Sequence, residues 1–269
     1  MYPHEIFGLF TLYGVMVAIG VLCAVGVLFI FAKNRVSEKF IDFLFYNGII
    51  AIAIGFVFAS LFQAVYDYIA NPEGGFHPFT SGMTFYGGLI GGVVSFLAGY
   101  FIFRKKLAGR LLDVISLLPC CILVAHAFGR LGCLFAGCCH GAEVDGFPGI
   151  YMETVDAGNG YFIPIQLYEA LFLFALFGTC LFLYTKKGFK YNLPTYLISY
   201  GVWRFIIEYA RADYRGALVE GITPSQFWSI IMVVAGVGII FLFKYMFKIH
   251  EANKAKEQEK LTVEGDVKD

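Results

Sequence analysis

Two arginines set in apolar sequence, Arg130 and Arg204, and the thiol-rich turn after the first carry most of the potential chemistry of this 269-residue chain. The run from His126 to Gly141 holds Arg130, Gly132, Cys133, Gly137, Cys138, Cys139 and His140. An arginine inside a bilayer costs roughly 3 kcal/mol on insertion scales, so it is expected to have a partner or a task. Tyr200, Arg204 and Glu208 recur every four residues and Arg211 follows three later. At 100° per residue these four fall in a stripe about 80° wide on one helix. Arg204 and Glu208 could merely neutralise each other and hold helices together. That would not account for Arg130 arriving at similar depth from another segment. Two guanidinium groups with few carboxylates suit a phosphate, because guanidinium offers planar, bidentate donors. The anion expected at that depth is a phospholipid headgroup of the outer leaflet.

The thiols allow a second chemistry. Cys133, Cys138 and Cys139, next to His140, invite a metal reading, but adjacent ligands fit a tetrahedron poorly, and no metal or other cofactor is expected. A disulfide between Cys133 and Cys138 or Cys139, with a redox role, competes with thiols that simply fill space in the turn. Cys23, Cys120, Cys121 and Cys180 lie deep in apolar segments and read as packing residues.

The elements that must position these groups are membrane helices. The chain is 59% hydrophobic with a mean hydropathy of +0.72, which excludes an ordinary soluble domain. Zero net charge gives no electrostatic case for nucleic acid. Seven apolar stretches, at about 9–32, 42–70, 83–103, 111–137, 165–185, 193–210 and 227–248, can each span ~30 Å of hydrocarbon, which takes ~20 helical residues. Alternation is absent, so a barrel is not expected. The fold class expected is therefore all-α, polytopic, with about seven transmembrane helices over residues 1–250. A small extracytoplasmic cap at 138–164 and a polar cytoplasmic tail at 251–269 complete it, the tail as a short frayed helix and then disorder. Lys33, Arg35 and Lys39, then Arg104, Lys105, Lys106 and Arg110, then Lys186, Lys187 and Lys190 mark alternate loops, with Arg211 and Arg215 as exceptions. The positive-inside rule then puts the N-terminus outside and the C-terminus in the cytoplasm. The first segment lacks a basic n-region and reads as a retained anchor. At ~1.5 Å per residue, Arg130 lies roughly 28 Å beyond Leu111, and Arg204 and Glu208 lie roughly 16 and 22 Å beyond Leu193. Tyr13, Thr84, Tyr86, Gln166, Tyr168 and Glu169 stand near the starts of helices that enter from outside. Polar groups from several segments thus gather in the outer half of the bilayer.

These residues resemble a known family, the prolipoprotein diacylglyceryl transferases of bacterial inner membranes. Leu12-Tyr13-Gly14-Val15-Met16 is similar to the family's first-helix motif, and Phe85-Tyr86-Gly87-Gly88-Leu89-Ile90-Gly91 to its glycine motif. Gly129-Arg130-Leu131-Gly132 matches the opening of its signature. Pro164-Ile165-Gln166-Leu167-Tyr168-Glu169-Ala170 and the run Tyr200-Gly201, Arg204-Phe205, Glu208 match two further, more specific motifs. The chain departs from the pattern at Cys133 and Ala136, where the family has Asn, at Cys138, where it has Glu, and at Tyr86, where many members have His.

The resemblance implies transfer of a diacylglyceryl group from phosphatidylglycerol to the cysteine thiol of a lipoprotein precursor, at the extracytoplasmic side. The partners are then phosphatidylglycerol, precursor signal peptides and other membrane lipids. The leaving phosphate needs preorganised positive donors, for which Arg130 and Arg204 are expected. Tyr13, Gly132, Gln166, Tyr200 and Glu208 would bind substrate or position the arginines. The acceptor thiol must lose a proton. Tyr86 holds the family position for that step, and His126, one turn before Arg130, is the other candidate. A membrane thiol–disulfide oxidoreductase built on Cys133, Cys138 and Cys139, or a lipid-binding paralogue without transferase activity, are the alternatives.

Overall fold

The computed structural model describes residues 5–6, 10–33, 35–80, 82–107, 109–155, 157–211 and 222–266. Apart from two short hairpins the architecture is helical. Strands β1 (Glu5–Ile6) and β2 (Phe10–Thr11) pair antiparallel and lead into α1 (Leu12–Ala32). α2 (Glu38–Ala70) and α3 (Phe85–Phe103) follow, then the single turn α4 (Leu111–Val114) and α5 (Leu118–Ala136). Strands β3 (Ile150–Glu153) and β4 (Asn159–Phe162) precede α6 (Ile165–Lys187), α7 (Asn192–Ile207) and α8 (Pro224–Asp266). Among the described residues, six helices are long and apolar enough to cross a membrane: α1, α2, α3, α5, α6 and α8. The expected sixth stretch forms α7, whose 16 residues fall below that length and are followed by a 3-10 turn at Glu208–Ala210.

Two further expectations change. The fourth stretch is not one helix: Ile115–Leu117 form a turn, and α5 starts at Leu118 with Pro119 in its first turn. Pro has no N–H to lose there and its fixed φ suits a helix start. Arg130 therefore lies 12 residues, roughly 18 Å, along α5 rather than roughly 28 Å. The polar tail does not fray at 251. α8 runs unbroken to Asp266, through a segment rich in Ala, Lys, Glu and Gln, all strong helix formers.

The chain divides into two compact units, one of Met1–Phe31 with Val114–Asp269 and one of Ala32–Asp113. In the second, α2 starts at a Ser37 cap whose hydroxyl accepts from Phe40 N–H at 3.3 Å. It packs on α3 through glycines. A Cβ on Gly87 would lie 2.8 Å from the Phe58 carbonyl and 2.6 Å from Phe62 Cβ, so only glycine allows this approach. Thr84 Oγ1 donates to Gln63 Oε1 at 2.6 Å, and Asn47 Nδ2 to the Phe96 carbonyl at 2.9 Å.

In the first unit, α5 packs on α6 and α7, and α7 on α8. Fully buried Asn192 fastens their other end: its Nδ2 donates to the carbonyls of Ser116 (2.9 Å) and Cys180 (3.0 Å). Within 138–164, β3 and β4 pair antiparallel, registered Ile150↔Phe162 to Glu153↔Asn159. Met152 and Phe162 bury against Leu134 at the end of α5, with Leu131, Ile150 and Leu167 around them. Gly137, at φ 68°, ends α5, and a Cβ there would strike the Glu153 carbonyl. Both the left-handed backbone and the contact with β3 require glycine.

Candidate active site

The site is built on α5, α6 and α7. α5 contributes His126 and Arg130, one turn apart; α6 contributes Gln166 and Glu169; α7 contributes Tyr196, Tyr200 and Arg204, with Glu208 in the turn that follows. Because helical residues three and four apart share a face, α5 and α6 each deliver a pair and α7 a row of three.

Arg130 Nε lies 3.1 Å from Glu169 Oε2, and the Glu169 side chain is fully buried. The contact is close but not aligned as a hydrogen bond on either side. Tyr200 ties the two together: its hydroxyl donates to Glu169 Oε1 at 2.6 Å and accepts from Arg130 Nη2 at 3.5 Å. His126 lies between two phenols, with Nε2 3.4 Å from Tyr200 Oη and Nδ1 3.5 Å from Tyr196 Oη. Its ring meets that of Tyr200 edge-on at 4.8 Å.

One turn along α7, Arg204 forms its own cluster. Nη2 lies 2.9 Å from Glu208 Oε2 and donates to Ser225 Oγ at 3.0 Å. Thr223 Oγ1 donates to Glu208 Oε1 at 3.0 Å, and Arg211 Nε stands 4.0 Å from Glu208 Oε2. Arg204 Nη1 is buried and has no hydrogen-bond partner among the described residues. The two clusters neighbour each other along α7, through Tyr200 and Arg204 one turn apart. Among the described residues these clusters bring together the guanidinium groups of Arg130, Arg204 and Arg211 and the carboxylates of Glu169 and Glu208. The few carboxylates expected from sequence are in fact enough to pair both Arg130 and Arg204.

The remaining predicted residues fall as follows. Gln166 is fully buried, and its Nε2 donates to the Cys138 carbonyl at 2.6 Å. Gly132 lets α1 approach α5: a Cβ there would lie 3.0 Å from Tyr13 Cδ2. Tyr13 lies within electrostatic reach of Arg130 and of all three clustered thiols. Tyr86 opens α3, and its side chain lies outside the described residues, as does Arg215.

The seven cysteines are reduced, with no disulfide among them. The sulfurs of Cys133, Cys138 and Cys139 all lie within 4.8 Å of one another. Cys139 has a left-handed backbone, φ 62°, which turns its thiol back beside that of its neighbour. Hydrogen bonds from the Cys133 and Cys138 thiols, with the nearby Arg211 and Arg130 charges, hold Cys139 below the usual thiol range. Hydrogen bonding with Cys133 and Cys139, and then burial, pushes Cys138 the other way.

Sequence reasoning left four participants unassigned. Glu169 was visible as a polar residue near a helix start, and its spacing of three from Gln166 was the available signal for a shared inward face. Tyr196, one turn before Tyr200, extends the stripe by the same periodicity. Ser225 and Thr223 reach Arg204 and Glu208 only through the packing of α8 on α7, which local spacing does not encode.

A family model described as prolipoprotein diacylglyceryl transferase matches residues 5–242. The chain is 31% identical over 203 residues to phosphatidylglycerol–prolipoprotein diacylglyceryl transferase 2 of Clostridium perfringens, covering 73% of this chain and 77% of that protein. It is 31% identical over 211 residues to the phosphatidylglycerol–prolipoprotein diacylglyceryl transferase of Clostridium tetani, covering 76% and 82%. With the like-named protein of Polynucleobacter necessarius it shares 30% over 213 residues, covering 77% and 79%. On the strength of the match across nearly all its helices, the chain belongs to the prolipoprotein diacylglyceryl transferase family.

Proposed function

We propose that this chain moves a diacylglyceryl group from phosphatidylglycerol to the cysteine thiol of a lipoprotein precursor, at the extracytoplasmic side of a bacterial inner membrane. The observation that carries the reading is that Arg130 on α5 and Arg204 on α7 each stand beside a buried carboxylate, while Arg204 Nη1 is buried with no hydrogen-bond partner among the described residues. A phosphodiester oxygen is a fitting acceptor for that donor. Arg130 and Arg204 bind that phosphate and stabilise it as glycerol phosphate departs; the thiol sulfur forms the new bond to the glycerol carbon as the carbon–oxygen bond to phosphate breaks. Glu169, Tyr200 and Glu208 hold the guanidinium groups in place. Tyr13 and Gln166 border the acceptor side, and Tyr86 or His126 accepts the thiol proton. α7 serves as a seventh, short crossing, the basic loops lie in the cytoplasm, 138–164 caps the outer face, and the tail 251–269 is cytoplasmic.

The test is transfer of labelled diacylglycerol from phosphatidylglycerol to a lipobox peptide by the purified protein. Activity that disappears in Arg130→Ala and Arg204→Ala supports the reading. A second reading, thiol–disulfide exchange at the converging thiols, predicts thiol oxidation of a substrate that survives Arg204→Ala and no lipid transfer by the unmodified protein.

A further inference from the structure

The strongest feature that the proposed transfer does not use is the group of three thiols at the end of α5. Their sulfurs lie within 4.8 Å of one another. Three sulfurs around one zinc at ~2.3 Å must stand roughly 3.8 Å apart. The existing arrangement needs only small side-chain rotations to close on an ion. The backbone around it is fixed rather than loose. Cys138 N–H donates to the Cys133 carbonyl at 3.2 Å, closing the turn at Gly137. Fully buried Gln166 holds the Cys138 carbonyl at 2.6 Å. Cys139, the third ligand, has a left-handed backbone, φ 62°. All three cysteines are partly rather than fully buried, so an ion could enter and a fourth ligand could reach it.

From this geometry we propose that Cys133, Cys138 and Cys139 bind Zn2+ as three thiolates, and that the fourth coordination position receives the thiol of the acceptor peptide. The second half rests on the transferase reading given above. Among the described residues no His, Asp or Glu joins the group. Three protein ligands with one open position is the pattern of a catalytic rather than a structural zinc. A thiol that coordinates zinc is deprotonated outright, so the metal makes the acceptor give up its proton on binding. That proton passes to the group proposed above for it, Tyr86 or His126, and from there to solvent. The sulfur then forms its bond to the glycerol carbon, the carbon–oxygen bond breaks with its electron pair going to the phosphate, and glycerol phosphate leaves and is protonated by solvent as needed. No electron is gained or lost by the metal. Cys133 lies three residues beyond Arg130 on α5, which brings the acceptor sulfur close to the arginine that holds the lipid phosphate. Gln166 is a positioning residue for the site, acting through the Cys138 carbonyl.

The test uses the full chain, purified under reducing conditions and loaded with Zn2+, or with Co2+ as an optical probe. One metal per chain is expected, with thiolate-to-cobalt charge-transfer absorption. Each of Cys133→Ser, Cys138→Ser and Cys139→Ser should abolish it, and Gln166→Ala should weaken binding roughly 10–100-fold, as loss of an outer-shell contact does. A lipobox peptide should add a further thiolate band, while the same peptide with serine for cysteine should not. If the serine variants fail to fold, protection of the three thiols from maleimide by Zn2+ in the unmodified protein serves instead. Absence of metal binding, no protection, or isolation of the thiols as a disulfide under mild reduction overturns the site. Full transfer activity in metal-free protein overturns the acceptor role while leaving the transferase reading standing. Metal and peptide binding without any lipid transfer would instead sink the transferase reading and, with it, the chemistry assigned to the fourth position.

Discussion

Replacing Glu169 by Gln removes a fully buried carboxylate 3.1 Å from Arg130 Nε while keeping the side chain's shape. The guanidinium is left without its counter-charge in a site that is only 18% exposed on the arginine side. Breaking a buried ion pair by deleting one partner costs about 3–5 kcal/mol in water-soluble proteins. Interhelical polar contacts in membranes average nearer 0.6 kcal/mol, with a maximum of about 1.7, because the opened state finds other partners. The Tyr200 hydroxyl also loses its charged acceptor at 2.6 Å, a bond of the kind worth about 1.5–3 kcal/mol. About 2 kcal/mol is the resulting expectation, which lowers the melting temperature by roughly 4–8 °C at ~2–4 °C per kcal/mol. The loss should depend on lipid. With Glu169 neutral, a phosphodiester becomes the better partner for Arg130, so phosphatidylglycerol should stabilise the variant more than the unmodified protein. The assay is thermal unfolding in nanodiscs of phosphatidylglycerol and of phosphatidylcholine, with Arg130→Met/Glu169→Gln as the double variant. The double variant should be less destabilised than the two single changes added together. An unchanged melting temperature in Glu169→Gln, or equal recovery in both lipids, would refute the view that Glu169 and lipid phosphate compete for Arg130.

Three further outcomes are expected. Arg204→Lys keeps the charge but cannot hold Glu208 and Ser225 with one planar fork while presenting Nη1, so kcat in the transfer assay should fall by roughly 10²–10³; near-normal turnover would mean that charge alone suffices. Asn192→Ala leaves the Ser116 and Cys180 carbonyls without their donor at a cost of about 1–3 kcal/mol, read as a lower melting temperature with kcat per folded molecule unchanged. Gly87→Ala drives a methyl to 2.8 Å from the Phe58 carbonyl and should destabilise by about 1–3 kcal/mol, whereas Gly178→Ala, with open space around it, should be neutral or slightly stabilising in the same melting experiment.

Much of the site could be read from spacing, because helices turn sequence periodicity directly into shared faces. The Tyr200–Arg204–Glu208 stripe and the His126–Arg130 pair emerged that way, and the structure keeps both together. What spacing cannot supply is the partner across a helix interface. Glu169 as the counter-charge of Arg130, and Ser225 as an acceptor for Arg204, depend on how α6 and α8 pack. The convergence of adjacent Cys138 and Cys139 depends on one left-handed residue that is not glycine, a conformation with no sequence signal of its own. The break before α5 was legible, since Pro119 marks a helix start, but the apolar run across it reads as continuous. α7 was legible as apolar yet is shorter as a helix than its hydropathy suggests, because the last turn tightens to 3-10 at Glu208.

The most direct measurement for the central claim is the structure of the protein in a phosphatidylglycerol nanodisc. The account predicts one lipid phosphate within roughly 3 Å of nitrogens from both Arg130 and Arg204, the distance of charge-assisted hydrogen bonds. A headgroup bound elsewhere, with each arginine still engaged only with its own carboxylate, would contradict it.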